Sequence, residues 1–140
     1  MHKLPFTIRT YKGNRRALPP HTVFILNKGN NAGRPGKLPW TNSFAITCDT
    51  EELADRIFST CFILHTARAI EPFLIGSVIA FLRKYDLMQL LHGYAHLYTE
   101  PERLADQRKL LLMLQHVEQL EQQKIKMKKL SVAFARHISK

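Results

Sequence analysis

The sequence has few cysteines and no apolar run long enough to cross a membrane. Its two cysteines, Cys48 and Cys61, are too few for the disulfide framework of a small secreted domain, so a reducing setting is expected. The most apolar stretch, residues 57–82, is interrupted by two charged residues and a proline, whereas a membrane-spanning helix needs about 20 apolar residues. Together with a beginning that lacks an apolar leader, these absences predict a soluble cytoplasmic protein without a membrane partner.

Acidic residues are missing from the first third of the chain. Residues 1–48 contain eight basic and no acidic residues, residues 49–106 contain five basic and nine acidic, and residues 107–140 contain eight basic and two acidic. The net charge of +10 is therefore concentrated at the two ends. A charge distribution of this kind favours an anionic partner and says little about the fold.

The composition excludes a disordered chain. The 140 residues are 45% hydrophobic and 23% charged, which is enough apolar material to bury a core. At this length we expect a single domain, with a β-rich basic segment over residues 1–48, a helical core over 49–98 and a long basic C-terminal helix over 99–140.

Strand patterns are confined to the first segment. Residues 6–11 and 22–27 are rich in β-branched and aromatic side chains, and residues 42–48 partly alternate, which predicts three strands. Residues 28–41 between the second and third strands are dense in turn-forming residues. We expect this Gly-rich loop to be the extended tip of a hairpin, and loops of this length are often functional.

Helical patterns begin at Asp49, which forms a capping-box arrangement with Glu52. The spacing predicts a helix that ends before Pro72, a short buried helix over 77–84 and another behind the possible cap Asp86. Thr99, Pro101 and Glu102 form the clearest N-terminal helix signal, and no glycine or proline follows Pro101. The predicted fold class is α+β: a small antiparallel sheet packed against helices, with a long C-terminal helix.

The Gly-rich loop is the first candidate site. It does not match a nucleotide-binding P-loop, because the position that requires glycine is Asn31, Leu38 follows the lysine, and Pro35 lacks an amide hydrogen. A second hypothesis is contact with a nucleic-acid backbone, with an aromatic ring available to stack on a base. The alternative is a structural loop whose tryptophan folds onto the core. The candidate nucleic-acid-binding residues are Lys28, Arg34, Lys37 and Trp40 in the loop, with Arg15 and Arg16 before it.

Catalytic and metal-binding candidates are weak. His92 and His96 have the one-turn spacing of helical metal ligands, but Gly93 stands where a metalloprotease motif has glutamate, and ordinary histidines are favoured. Cys61 falls on an apolar stripe, where cysteine usually acts as a small hydrophobe, and Ser77 lacks the Gly-x-Ser-x-Gly elbow. No metal or other cofactor is expected, and no residue set indicates an enzyme.

The C-terminal helix has a polar and an apolar interpretation. Its lysines are favoured near a helix C-terminus and usually form a solvated face, although they could also contact phosphate. Its apolar residues recur at intervals of about three and four residues, and Lys124 interrupts this pattern. They form an apolar seam that could pack on a partner helix or on a second copy. The seam consists of Met113, Val117, Leu120, Met127, Leu130 and Phe134.

Three segments resemble an uncharacterised family of short bacterial proteins. They are residues 27–35 (NKGNNAGRP), residues 39–44 (PWTNSF) and residues 76–83 (GSVIAFLR). The resemblance covers about the first two thirds of the chain and leaves the C-terminal helix outside. It implies a bacterial origin and an association with mobile elements, and it carries over no function.

The leading functional hypothesis is a non-catalytic accessory protein that binds DNA or RNA through the basic N-terminal segment and the Gly-rich loop. The second is a protein-interaction or assembly module that acts through the C-terminal helix. An enzyme of unidentified class comes third.

Overall fold

A computed structural model describes residues 5–13, 18–100 and 104–140 of the chain. Their contacts divide the protein into two compact units, Met1–Leu104 and Ala105–Lys140. The described residues of the first unit form a sheet, three α-helices and a short 3-10 helix, and the second unit is part of one long helix. The predicted α+β class is confirmed.

The sheet has four strands: β1 (Phe6–Tyr11), β2 (Thr22–Leu26), β3 (Pro35–Gly36) and β4 (Ser43–Cys48). Their order is β1-β4-β2-β3, and every neighbouring pair is antiparallel. The three predicted strands are confirmed within one residue at each end. The short strand β3 was not predicted, because proline and glycine are poor strand formers in isolation.

One face of the sheet forms the core with the helices. Alternate residues of the strands point to this face, among them Ile8, Ile25 and Ile46, and all three are buried. The helix α1 (Glu51–Thr66) contributes Ile57 and Cys61 to the same hydrophobic cluster, as the helical spacing predicts.

The beginning of α1 differs from the prediction by one residue. The N-cap is Thr50, whose side-chain oxygen accepts a hydrogen bond from the backbone N–H of Leu53 at 3.1 Å. The predicted cap, Asp49, stands one position earlier. A hydroxyl and a carboxylate are both good N-caps, so the sequence pattern alone does not distinguish these neighbours.

The predicted buried helix over 77–84 is wrong. After a short 3-10 helix, Glu71–Phe73, the chain turns at Gly76, whose φ is +110°. Ile75 and Phe81 then pair through two backbone hydrogen bonds of 3.0 and 2.8 Å, and Val78 between them is 94% exposed. The apolar run therefore forms an exposed turn, because a glycine with positive φ reverses the chain where a helix would continue.

The last helices of the first unit are α2 (Lys84–Gly93) and α3 (His96–Thr99). Asp86 is not the N-cap of α2 but lies in its first turn, where its Oδ2 accepts a hydrogen bond of 2.6 Å from Arg83 Nε. The buried residues Leu87 and Leu91 of α2 join the core cluster. These helices lie on the same side of the sheet as α1, since their apolar residues share its cluster.

The second unit is formed by helix α4 (Leu104–Ile138), which confirms the predicted long C-terminal helix. Thr99 ends α3 and its hydroxyl donates to the Ala95 carbonyl, so it belongs to the preceding helix; Pro101 and Glu102 of the predicted cap lie outside the described residues. In the ranges that the structure describes, no helix is sufficiently long and apolar to cross a membrane.

Candidate functional site

The second face of the sheet, called the open face below, is exposed on β1, whereas Phe24 and Ser43 on the same face are buried. Side chains on this face alternate with those of the core, and the strand register arranges them in three rows across the sheet. Thr7 and Arg9 on β1 are exposed, and Ala45 and Thr47 on β4 are half-buried, so none of the described helices of the first unit covers them. The rows are Thr7–Thr47–Thr22, Arg9–Ala45–Phe24–Gly36 and Tyr11–Ser43–Leu26.

The middle row has an exposed charge at one end and a buried aromatic ring inside it. Arg9 lies on the edge strand β1, and Gly36 lies on the opposite edge strand, three strand spacings or about 14 Å away. Between them Phe24 is buried and contacts the Tyr11 ring edge to face, with 5.5 Å between centroids. No acidic residue belongs to the three rows. This row, called the strip below, therefore has one exposed cation, Arg9, and an aromatic ring, Phe24, that is only 2% exposed.

Trp40 lies at the end of this strip. A Cβ built on Gly36 would stand 2.6 Å from the Cη2 and Cζ2 atoms of the Trp40 ring, so the indole covers the backbone of Gly36. The Ser43 hydroxyl donates a 2.7 Å hydrogen bond to the Trp40 carbonyl and holds the residue near β4. The indole is half-buried, so it packs against the sheet and still presents part of its surface.

The Gly-rich loop is folded and does not extend from the sheet. The Leu26 N–H donates to the Arg34 carbonyl at 3.0 Å and the Gly33 N–H donates to the Leu26 carbonyl at 2.6 Å, which closes a hairpin turn. Gly33 has a φ of +96° and lies against Ile70, where a Cβ would stand 2.5 Å from Cδ1. The expected extended tip is therefore wrong, because buried contacts of the glycine hold the turn onto the first unit.

A second connection fixes the start of the same loop. The Gly29 N–H donates to the Ala80 carbonyl, and the Leu82 N–H donates to the Asn27 carbonyl, both at 2.8 Å. Lys28 lies between these bonds, in a β-bridge with Phe81, and its side chain is exposed. The loop backbone is thus held in place at both ends.

The basic residues of the loop do not converge on one point. Lys37 Nζ lies 3.8 Å from Asp55 Oδ1 and 5.5 Å from the centroid of the Phe58 ring, so Lys37 extends along α1. The side chain of Arg34 is exposed, and its charge acts on His65 near the end of the same helix. Of the four loop candidates, Trp40 packs over Gly36 on the open face, and the candidates Arg15 and Arg16 lie outside the described residues.

Arg9 and Tyr11 were missed by the sequence reasoning. Their alternation with Ile8 was visible in the sequence and places both on one face of β1. The pairing of β1 with β4, and of β2 with both β4 and β3, was not visible, because sequence periodicity does not give strand order. The site is therefore defined by the register of the sheet rather than by a contiguous motif.

The thiols of the described chain are not arranged for nucleophilic chemistry. Burial, reinforced by the charge of Asp49, raises the pKa of Cys48 to about 11. Burial raises the pKa of Cys61 to about 12, and the neighbouring Cys48 adds to the effect. Both thiols are therefore protonated at neutral pH and behave as core side chains.

The one-turn spacing of His92 and His96 does not place them on one helix. The helix α2 ends at Gly93 and α3 begins at His96, so the two imidazoles are not one turn apart on a continuous helix. Among the residues that the structure describes, no group of three or more histidine, cysteine, aspartate or glutamate side chains could hold a metal ion.

Residues 8–137 match a family of unknown function, DUF6943. The chain belongs to this family, which confirms the resemblance to an uncharacterised family. The match is more extensive than expected, because it includes nearly all of α4. No curated protein and no solved structure matches the chain.

Proposed function

We propose that this protein is a non-catalytic accessory protein that binds nucleic acid on the open face of its sheet. The observation that carries the proposal is the row from Arg9 to Gly36 with the Trp40 ring at its end. It offers a cation for phosphate and an aromatic surface for a base within about 14 Å. This span suits about two nucleotides of an extended strand.

The phosphate contacts come from the acid-free N-terminal segment. Arg9 is exposed on β1, and Lys12 follows the same strand and is also exposed. Lys28 is exposed at the start of the folded loop, whereas Arg34 acts on His65 of α1 and contributes less. Lys37 also contributes less, because Asp55 already neutralises part of its charge. Phosphate contacts position the strand without reading its sequence.

The base contact comes from Trp40, with Tyr11 beside the row. Stacking on an aromatic ring requires an unpaired base, so the proposal favours single-stranded DNA or RNA over a duplex. The threonine row beside the strip adds hydroxyl groups, of which that of Thr7 is exposed. The Thr22 hydroxyl already donates to the Pro19 carbonyl at 2.8 Å and lies 3.2 Å from Thr47 Oγ1. Hydroxyls of this kind can contact phosphate or sugar oxygens.

The first experiment is a titration of the whole protein with a fluorescently labelled single-stranded 12-mer, followed by anisotropy. We expect binding at low salt that weakens by about 0.7 log units per log unit of salt for each neutralised phosphate. Trp40 is the single tryptophan, so its intrinsic emission should be quenched as the 12-mer binds. A duplex of the same sequence should bind more weakly.

The matched variants are R9Q and K84Q, which each remove one positive charge. Lys84 is exposed at the start of α2, on a helix that packs against the core face. We expect R9Q to weaken binding severalfold and to lower the salt slope, and K84Q to leave both unchanged. Replacing Trp40 with leucine should cost about tenfold in affinity, and phenylalanine at that position should restore part of it. Absence of binding at low salt, or equal effects of R9Q and K84Q, would contradict the proposal.

A further inference from the structure

Helix α4 has a heptad pattern of apolar residues on one side. Starting at Leu110, seven of nine successive positions at alternating spacings of three and four are apolar, which is the pattern of a helix that packs against another helix. Six of the seven apolar side chains are exposed in the structure, Met127 and Phe134 to 62% each, and Leu110 is half-buried. The nine positions are Leu110, Met113, Val117, Leu120, Lys124, Met127, Ser131, Phe134 and Ile138.

The two polar positions of the seam are compatible with an interface. The Ser131 hydroxyl donates to the Met127 carbonyl of its own helix at 2.8 Å, so it can be covered without losing a partner. Lys124 has a long apolar stem whose ammonium group can reach solvent at the edge of a helix pair. A single lysine in such a seam is a known means of specifying how helices associate.

Charge divides α4 into two unlike halves. Residues 104–121 contain two basic and three acidic residues, whereas residues 122–140 contain six basic and no acidic residues. Packed helices have axes about 8–10 Å apart, which is no more than the Debye length of about 10 Å at 0.1 M salt. Two copies side by side in the same direction would therefore bring two strongly basic halves together.

We propose that two copies of this chain associate through α4 as an antiparallel helix pair. In this orientation residues 130–140, with Arg136 and Lys140, lie beside residues 111–121 of the second copy, which contain two acidic and no basic residues. The four lysines of residues 122–129 face their equivalents in either orientation, so the antiparallel pair relieves the repulsion at its two ends. The heptad positions then pair Val117 with Phe134 of the second copy, a small residue with a large one. The same register brings Glu121 beside Lys128 of the second copy at the edge of the seam, twice by symmetry.

The register explains the polar positions as well. Leu120 lies opposite Ser131 of the second copy, and Lys124 lies opposite Met127 of the second copy. The apolar side chain opposite each polar one is long enough to cover it: Leu120 covers Ser131, and Met127 covers the aliphatic stem of Lys124. A parallel pair would place Lys124 directly against Lys124, with two like charges in the seam.

The first test is the mass of the whole protein in solution by light scattering. We expect twice the chain mass of 16.2 kDa. The variant L120K places a charge in the seam and should be monomeric, whereas Q122K adds the same charge on the outer side of the helix and should remain dimeric. Circular dichroism should show equal helix content in both variants, since lysine is a good helix former.

The second test measures the orientation with nitroxide labels on cysteines introduced at outer positions. Distances between the two copies are recorded for Q115C, Q122C, K129C and R136C. The wild type is treated with the same label, which shows whether Cys48 and Cys61 contribute to the signal. An antiparallel pair gives axial offsets of about 30 Å at positions 115 and 136 and about 10 Å at 122 and 129. The expected pattern is thus long, short, short, long.

Three results would overturn the proposal. One is a monomeric wild type at concentrations up to about 100 µM, where even weak pairing is populated. Another is a set of equal distances at all four labels, which is the result of a parallel pair. The third is equal dissociation by L120K and Q122K, which would mean that the seam is not the contact surface.

Discussion

The indole of Trp40 lies over the backbone of Gly36, so close that a Cβ on Gly36 would stand 2.6 Å from the ring. The absence of a side chain at Gly36 therefore determines where the tryptophan lies. Since Gly36 pairs with Phe24 in the sheet, the indole and the buried phenyl ring belong to the same face. The aromatic end of the proposed binding strip depends on this single glycine.

The variant G36A should displace Trp40. We expect a change in the emission maximum of the single tryptophan and a loss of about 1–3 kcal/mol in the free energy of unfolding, as is usual for overpacking. The measurements are fluorescence and urea denaturation. The control is G93A, because a Cβ at Gly93 meets nothing within 4 Å. An unchanged emission spectrum in G36A would show that the ring does not depend on Gly36.

A comparison of alanine variants at Gly33 and Gly29 separates the free-energy cost of backbone strain from the cost of a steric clash. Both have positive φ, +96° and +92°, but a Cβ at Gly33 meets Ile70 at 2.5 Å, whereas a Cβ at Gly29 meets nothing within 4 Å. We expect G29A to cost about 1 kcal/mol in unfolding free energy for strain alone, and G33A to cost about 1–3 kcal/mol more for the clash. Equal losses in denaturant titrations would mean that the loop moves away from Ile70 at little cost.

The two cysteines should be unreactive in the folded protein. Burial raises the pKa of Cys48 to about 11 and that of Cys61 to about 12, so the thiolate fraction at pH 8 is about one in a thousand or less. A thiol-specific chromogenic reagent should therefore detect neither group at pH 8 and both after denaturation. Rapid reaction of one thiol without denaturant would show that its part of the core opens readily.

His65 should titrate below its usual range. Burial is the main cause that lowers its pKa, the positive charge of Arg34 lowers it further, and Glu71 opposes the change. The folded state therefore binds this proton less readily than the unfolded chain. The contribution of His65 to stability is complete above the unfolded pKa of about 6.5 and is lost as the pH falls toward the folded pKa.

The variant R34Q should raise the pKa of His65, as measured by an NMR titration of the imidazole protons. It should also reduce the loss of stability between neutral pH and mildly acidic pH. K37Q is the control, since Lys37 extends toward Asp55 and is not among the causes of the shift. Equal His65 titrations in R34Q and the wild type would place Arg34 further from the imidazole than proposed.

The elements with a clear period were predictable from the sequence, and the connections were not. β1, α1 and α4 each follow an alternating or helical pattern of apolar residues, and each pattern lies within one continuous stretch of the sequence. The segment 77–84 has the composition of a buried helix, but its conformation is set by Gly76 and by pairing between Ile75 and Phe81. Trp40, the candidate for stacking on a base, could be named from the loop sequence, although its position over Gly36 could not, whereas Arg9 required knowledge of which strands are neighbours.

The bonds that join Asn27 and Gly29 to residues 80–82 have a consequence for synthesis of the chain. The end of β2 is completed by a segment about 55 residues downstream, and such distant contacts form slowly. A nascent chain can pair β1, β2 and β4 before that segment has left the ribosome. Until then the Asn27 carbonyl and the Gly29 N–H have only water as a partner. The growing chain therefore passes through a stage with an unprotected sheet corner, which is where premature association between neighbouring nascent chains would begin.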